Sequence, residues 1–330
     1  MPLGDSRTPL FGARLDQRSD PDRSHLQRRF GQNGTWRTTR SPIGPALPRG
    51  ILAYNEFDLR LGGTRRRLEL PINAVTVLFL FEGSVCIESV PGGDARFTSL
   101  VRGSVDRAGI GRHDGRLSGV EILLEPWLAW RVFGIPMREL SEAPVALDAL
   151  TGRRGLRVAE QLAEAADARR RMTILRRLLA DRVREGPQVA PQVLWAWQRL
   201  VASRGQIRIA DLATASEWTA RTLENRFAEQ IGQTPKRAAR ILRLRDAAAQ
   251  LINGLVPSHV AASCGFADQA HLGREVKAMT GFTPARLGAQ RAGGVGTEGP
   301  PLDRLDGQVT SLLLPVVGSG AVPVSTPSAR

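Results

Sequence analysis

One motif occurs twice in this chain, 49 residues apart, and it constrains the fold more tightly than any other feature. The first copy reads Leu223-x-x-Arg226-Phe227 followed by Gly232-x-Thr234-Pro235. The second reads Leu272-x-x-Glu275-Val276 followed by Gly281-x-Thr283-Pro284. The same shift superimposes Ala262 on Ala213 and Arg286 on Arg237. A repeat of this period means that one supersecondary unit is used twice. Each copy has a short helix, a turn, a second helix and a Gly-x-Thr-Pro stop. Two helix-turn-helix units in tandem point to a protein that reads DNA.

In the first copy Ile209-Ala210-Asp211-Leu212-Ala213 opens a helix, Ser216-Glu217-Trp218-Thr219 is the turn, and Thr219 is placed to cap the next helix. Leu223, Phe227 and Ile231 fall on one stripe by i,i+4 spacing, which leaves Arg221, Glu224, Asn225 and Ala228 facing outwards. In the second copy Val260 to Phe266 supplies the first helix and a glycine turn. Asp268 caps a helix with Gln269, His271 and Arg274 on its free face and Leu272 and Val276 inward. Arg pairs bidentately with guanine, Asn and Gln with adenine, and Glu accepts from cytosine. Arg221, Glu224, Asn225, Gln269, His271 and Arg274 are therefore the candidate base contacts. His271 is equally suited to pairing with its cap residue Asp268. Thr219, Lys236, Arg237, Arg240 and Lys277 are the candidate phosphate contacts, which set register without reading sequence. Between the copies, Pro235 to Asn253 is expected to be one helix. Nineteen residues span about 28 Å, near the roughly 34 Å of one DNA turn, so the two reading helices are spaced for successive major grooves.

This segment, from Ser203 to Arg291, resembles the DNA-binding domain of the AraC family of bacterial transcription regulators. The phrase Gly265-Phe266-Ala267-Asp268-Gln269-Ala270-His271-Leu272, then Arg274-Glu275 and Gly281-Phe282-Thr283-Pro284, is the specific part of the likeness. It is closest to the subset that carries Asp-Gln-Ala-His-Leu and then Arg-Glu-Phe. Two residues depart from that subset: Gly273 stands inside the reading helix, where glycine costs about 1 kcal/mol of helix propensity, and Val276 stands where Phe is usual. The region around Glu125-Pro126 to Gly134-Ile135-Pro136 looks similar, more distantly, to the N-terminal domains of the same subset. The resemblance implies double-stranded DNA and RNA polymerase as partners, with a small-molecule effector and a second copy of the chain as further candidates.

The rest of the chain sorts by pattern. Residues 1–49 hold nine arginines against four aspartates with no hydrophobic period, the composition of a disordered basic extension. From 50 to 145 the signals are strand-like. Ala74 to Phe81 is a continuous β-branched and aromatic run, Ser84 to Val90 follows after Glu82-Gly83, and the pair reads as a hairpin. Leu117 to Leu124 reads as another buried strand, and Trp127 to Phe133 as a short helix closed by Gly134. Residues 146–190 read as a helical connector, with helices near 153–168 and 169–185. Leu156, Ala159, Leu162 and Ala163 form the apolar face of the first, and Leu175, Leu178, Leu179 and Val183 that of the second. A further helix at 189–203 opens the helix-turn-helix region, 191–291. Trp195 and Trp197, two apart, point to different faces of it. Residues 292–330 read as a disordered tail. The expected fold is thus α+β: a small β-rich, sheet- or barrel-like sensor or dimerisation domain, a helical connector, and an all-α domain of two helix-turn-helix units joined by a long helix.

A formal net charge of +14 favours polyanionic partners, although a genome that encodes arginine on every surface gives the same excess. The two cysteines, Cys86 and Cys264, are far apart and make neither a disulfide framework nor a metal cluster. Cys86, mid-strand, reads as a small core residue. His113 is the lone histidine of the strand-rich part, too few for a metal site held by several histidines. No catalytic cluster, cofactor motif, signal core or membrane span is recognisable. The expected function is cytoplasmic, sequence-specific, effector-coupled regulation of transcription. A basic protein that coats DNA without reading it is the alternative.

Overall fold

The computed structural model describes residues 25–30, 34–41, 47–90, 93–291, 302–305 and 308–314. Among these, the strands form two antiparallel sheets. The larger runs β1 (His25–Phe30), β2 (Gly34–Arg40), β3 (Ile51–Leu61), β10 (Arg116–Leu124), β5 (Val75–Glu82), β8 (Ser99–Arg102) and β11 (Val145–Ala146). The smaller runs β12 (Leu302–Leu305), β13 (Gln308–Leu313), β4 (Arg65–Glu69), β9 (Gly109–His113), β6 (Val85–Val90) and β7 (Gly93–Phe97).

The continuous apolar run of β5 is explained by its two covered faces. Val75, Val77 and Phe79 join Val120, Ile122 and Leu124 of β10 against a layer of helices. The alternate residues Leu78 and Leu80 meet Val85, Ile87, Leu100 and Phe97, where the two sheets share a core. At Gly119 the register slips opposite β5. A Cβ there would lie 2.2 Å from the Phe79 carbonyl oxygen, so this bulge needs glycine.

The helical layer is α1 (Pro126–Phe133), α2 (Leu147–Thr151), α3 (Arg153–Glu164) and α4 (Ala168–Glu185). Gly134 ends α1 in the left-handed region at φ 69°. After α5 (Pro191–Ala202) come α6 (Ile209–Ala215), α7 (Ala220–Ile231), α8 (Pro235–Ile252), α9 (Pro257–Ser263), α10 (Gln269–Thr280) and α11 (Pro284–Gly288). The first unit closes around Phe227, Leu223, Ile231, Leu212 and Trp197. The second closes around Leu272, Val276, Met279 and Phe282, and this core continues into Leu68 and Ile110 of the smaller sheet and Leu70 just after β4. Helix α8 feeds both, giving Ala238, Ala239 and Leu242 to the first core and Ile241, Leu244, Ala247, Ala248, Leu251 and Ile252 to the second.

Four expectations need correction. The runs before and after Gly83 are not a hairpin, because β5 already has β10 and β8 on its two edges; β6 crosses to the other sheet and pairs with β7 and β9. Residues 25–40, expected within a disordered extension, contain the paired strands β1 and β2, and β2 continues onto β3. Residues 302–313, expected within a disordered tail, form β12 and β13, and β13 pairs with β4. On α3 the buried side is Gly155, Val158 and Leu162, while Leu156 is 46% exposed and Ala163 also faces outward. The remaining parts of the two expected terminal segments that fall on residues 1–24, 31–33, 42–46, 292–301, 306–307 and 315–330 lie outside the described residues. No helix among the described residues is long and apolar enough to cross a membrane.

Candidate nucleic-acid interface

The reading helices are set by local chemistry that the repeat duplicates. Thr219 caps α7, its hydroxyl accepting from the Thr222 amide at 3.1 Å, and Asp268 caps α10, accepting from the His271 amide at 2.6 Å. Gly232 and Gly281 end the same two helices with φ of 91° and 74°. Thr234 and Thr283 then cap α8 and α11, each accepting from the backbone two residues after its proline. The turns differ in length, 216–219 in the first and 264–268 in the second, and in one backbone detail. The left-handed residue is Glu217 in the first, at φ 59°, and Gly265 in the second, at φ 72°.

On α7, Leu223, Phe227 and Ile231 are buried, and Arg221, Glu224 and Asn225 all stand exposed on the opposite side. On α10, Leu272 and Val276 are buried while Gln269 and Arg274 are exposed. Under the 49-residue shift Arg274 occupies the place of Asn225, and Gly273 that of Glu224. The two faces therefore carry different donors and acceptors. His271 is held differently: its Nδ1 accepts from the Ala267 amide at 3.2 Å and its ring meets Phe266 edge-on, with 5.5 Å between centroids. That fixes the turn, and the bond to Asp268 comes from the His271 backbone rather than its ring.

The candidate phosphate contacts are unequal. Lys236 and Lys277 are exposed, and Thr219 is occupied as a cap. Arg237 and Arg240 both reach Asp106 of the N-terminal domain at 3.7 Å, and Arg240 Nε also donates to Glu275 on α10 at 2.8 Å. Asp106 was absent from the sequence-based set because nothing local marks it; its partners lie far along the chain. Around it, the Gln233 side-chain amide donates to the Ser104 carbonyl at 2.6 Å, the Ser104 hydroxyl donates to Asn73 at 3.1 Å, and Asn73 donates to the Ala238 carbonyl at 2.9 Å. The Ser141 hydroxyl donates to the Gly232 carbonyl at 2.8 Å. A Cβ on Gly232 would come within 2.9 Å of the Met137 carbonyl oxygen. The N-terminal domain is thus docked onto the end of the first reading helix and the start of α8.

Gly273 has no steric reason to be glycine, since a Cβ there meets nothing within 4 Å. Replacing it with Ala relieves the backbone entropy cost, worth about 1 kcal/mol. Gly273→Ala is expected to raise the melting temperature by roughly 2 °C; a lower value by calorimetry would show that the glycine is needed for packing.

Residues 212–290 match the helix-turn-helix domain family. The C-terminal domain is an AraC-type helix-turn-helix domain. Such domains bind DNA. No curated protein gives a significant match. Among solved structures, ToxT from Vibrio cholerae, with an unsaturated fatty acid bound, is 12% identical; the match covers 72% of this chain and 94% of ToxT, at a TM-score of 0.41. The C-terminal domain of AraT, a response regulator from Geobacillus stearothermophilus, is 18% identical over 34% of this chain and 93% of that one, at 0.30. A 7S globulin from Momordica charantia is 19% identical over 31% of this chain and 32% of its own, at 0.22. Scores this low add no weight to the family match. Among the described residues no group of three or more His, Cys, Asp or Glu could hold a metal ion.

Proposed function

We propose that this chain is a sequence-specific transcription regulator in which α7 and α10 read two successive major grooves, and that its N-terminal domain modulates the reading. One observation carries the proposal: two capped helices at either end of an 18-residue connector expose two different sets of base-reading side chains. The connector is about 27 Å long, close to one turn of duplex. Arg221, Glu224 and Asn225 serve the first groove, and Gln269 and Arg274 the second. Lys236 and Lys277 hold the phosphates. A regulator of this kind works on DNA in the cytoplasm and acts through RNA polymerase, as a single copy or a pair.

Selection of random duplexes at physiological salt tests this with the full chain. Wild type is expected to enrich a bipartite motif with centres about one turn apart. An Arg221→Ala, Arg274→Ala double variant is expected to lose the enrichment, each lost bidentate contact costing about 1–3 kcal/mol. Binding without enrichment, falling only with salt, would instead identify a basic coat on DNA.

A further inference from the structure

Asp246 is a carboxylate set among apolar side chains. It stands inside α8 at 9% exposure, beside Leu244, Ala247 and Ala248 of the second core. A helix interior disfavours aspartate, and a buried carboxylate is costly unless it is paired. Its partners come from both helix-turn-helix units. Oδ1 accepts from Arg204 Nη1 at 3.3 Å, and Arg204 lies on the loop between α5 and α6 in the first unit. Oδ2 accepts from Gln250 Nε2 at 3.4 Å and from the Cys264 thiol, just after α9 in the second unit, at 3.5 Å. Burial pushes that thiol up to about 11, so at neutral pH it keeps the proton it donates.

The circuit closes directly between the units. The Ser263 hydroxyl donates to Gln250 Oε1 at 2.8 Å, and the Gln206 side-chain amide donates to the Ser263 carbonyl at 3.1 Å. The loop is shaped to keep these contacts. Arg204 and Gly205 are both left-handed, at φ 52° and 76°, and a Cβ on Gly205 would lie 2.3 Å from the Ala239 carbonyl oxygen. Arg243 adds a second tie: its Nη1 donates to the Gly205 carbonyl at 3.4 Å, and its guanidinium lies over the Phe266 ring at 5.8 Å. Phe266 shortly precedes Asp268, the cap of α10. The clamp therefore meets the second unit at the foot of its reading helix.

We propose that Asp246 determines the spacing of the DNA site: by tying the α5–α6 loop to α9 it holds the two units at one angle and admits one half-site separation. This rests on the reading that α7 and α10 enter successive major grooves. One inserted base pair moves the second half-site by about 3.4 Å and turns it by roughly 35° about the duplex axis. To follow it, the second unit must pivot against the first. A hydrogen bond does not survive stretching much beyond its normal length, so the pivot breaks the Arg204–Asp246 and Gln206–Ser263 contacts together. Asp246 itself touches no base. It is a positioning residue, and the exposed side chains of α7 and α10 keep the base preference within each half-site.

Two measurements on the full chain test this. Spin labels at Arg226→Cys and Ala278→Cys, exposed positions of α7 and α10, report the distance between the reading helices without DNA; the two native thiols are buried. Double electron–electron resonance is expected to give one narrow distribution, broadened by Asp246→Ala and by an Arg204→Met, Gln206→Met double variant. Arg204 and Gln206 are exposed, so the double variant decides should Asp246→Ala unfold. On selected duplexes, one base pair inserted between the half-sites is expected to weaken the unaltered chain about thirtyfold and either variant about threefold. Base preference within each half-site is expected to stay the same. A broad distribution in the unaltered chain, or one that the variants leave unchanged, overturns the clamp. An equal insertion penalty in all three proteins, or base preference lost along with spacing, overturns the spacing role and leaves the two-groove reading standing. Selection that enriches no bipartite motif sinks that reading and the spacing role with it, while the label distances still decide whether Asp246 clamps the units.

Discussion

Glu125→Gln is expected to stabilise the protein by about 3 kcal/mol at pH 8 and to leave its stability unchanged at pH 4. Glu125 follows β10 and immediately precedes α1, and its carboxylate accepts a hydrogen bond from Trp197 Nε1 on α5 at 2.8 Å. Burial is the dominant influence on it and raises its pKa from 4.5 to about 7, against the opposing pull of the Trp197 bond and of Arg245. The folded state thus holds this proton to higher pH than the unfolded chain does. The resulting stability is fully present below pH 4.5 and is lost as the pH rises to 7. Glutamine keeps an oxygen for Trp197 and carries no charge to bury, so the variant escapes the loss. His113 works in the opposite direction. Burial, reinforced by Arg67, lowers its pKa to about 4, so its contribution grows between pH 4 and 6.5. Wild type should accordingly show little net slope across that window, while the variant should become steadily more stable. Urea unfolding at pH 4, 6 and 8, followed by far-ultraviolet circular dichroism, checks this. A difference between the two proteins that stays constant with pH would place the effect in packing rather than in the proton.

The second large effect is expected at a residue that composition assigns to a structureless tail. Leu312 of β13 is fully buried and Leu314 is 5% exposed, and both sit in the core of the second helix-turn-helix unit with Leu251, Leu272 and Leu287. The strand is pinned through Arg66 and Leu70: the Leu314 amide donates to the Arg66 carbonyl and the Leu70 amide to the Thr310 carbonyl, each at 2.9 Å. Truncating a side chain so enclosed costs about 2–5 kcal/mol. Leu312→Ala should lower the unfolding free energy obtained from urea titration by that amount. Leu255→Ala, at a leucine 38% exposed, should change it by less than about 0.5 kcal/mol. Equal effects from the two substitutions would mean that the terminal strand does not close the core in solution.

These residues show what was legible in the sequence. The helix-turn-helix units were, because a helix is specified within a few residues: the Leu223–Phe227–Ile231 stripe, the caps Thr219 and Asp268, and the stops at Gly232 and Gly281 are all local. The outward placement of Arg221, Asn225, Gln269 and Arg274 follows from the same period. Sheet pairing is specified by partners far away in the chain. Nothing near Gly83 tells that β5 is already flanked on both sides, so the apparent hairpin was the wrong pairing. Leu312 and Leu314 lie in a short apolar run beside glycine and proline, and only the smaller sheet and the second unit together give them a place to be buried. Leu156 was misplaced for a related reason, since α3 has apolar residues on more than one face and the sheet packs against the side with Gly155 and Val158. The docking of Asp106 on Arg237 and Arg240 carries no sequence signal at all.

That docking changes what the duplex meets. A free arginine on a protein surface is an open site for a phosphate, and neutralising phosphates releases the counter-ions condensed on DNA, which drives binding in dilute salt. Arg237 and Arg240 already have an anion in Asp106. A phosphate that takes either one must displace a carboxylate, and the carboxylate then collects cations from solution in place of those the duplex gave up. On the proposed reading, the ionic driving force at these two positions is reduced while Asp106 holds them, and any phosphate contact they add to that of Lys236 depends on whether the N-terminal domain lets go.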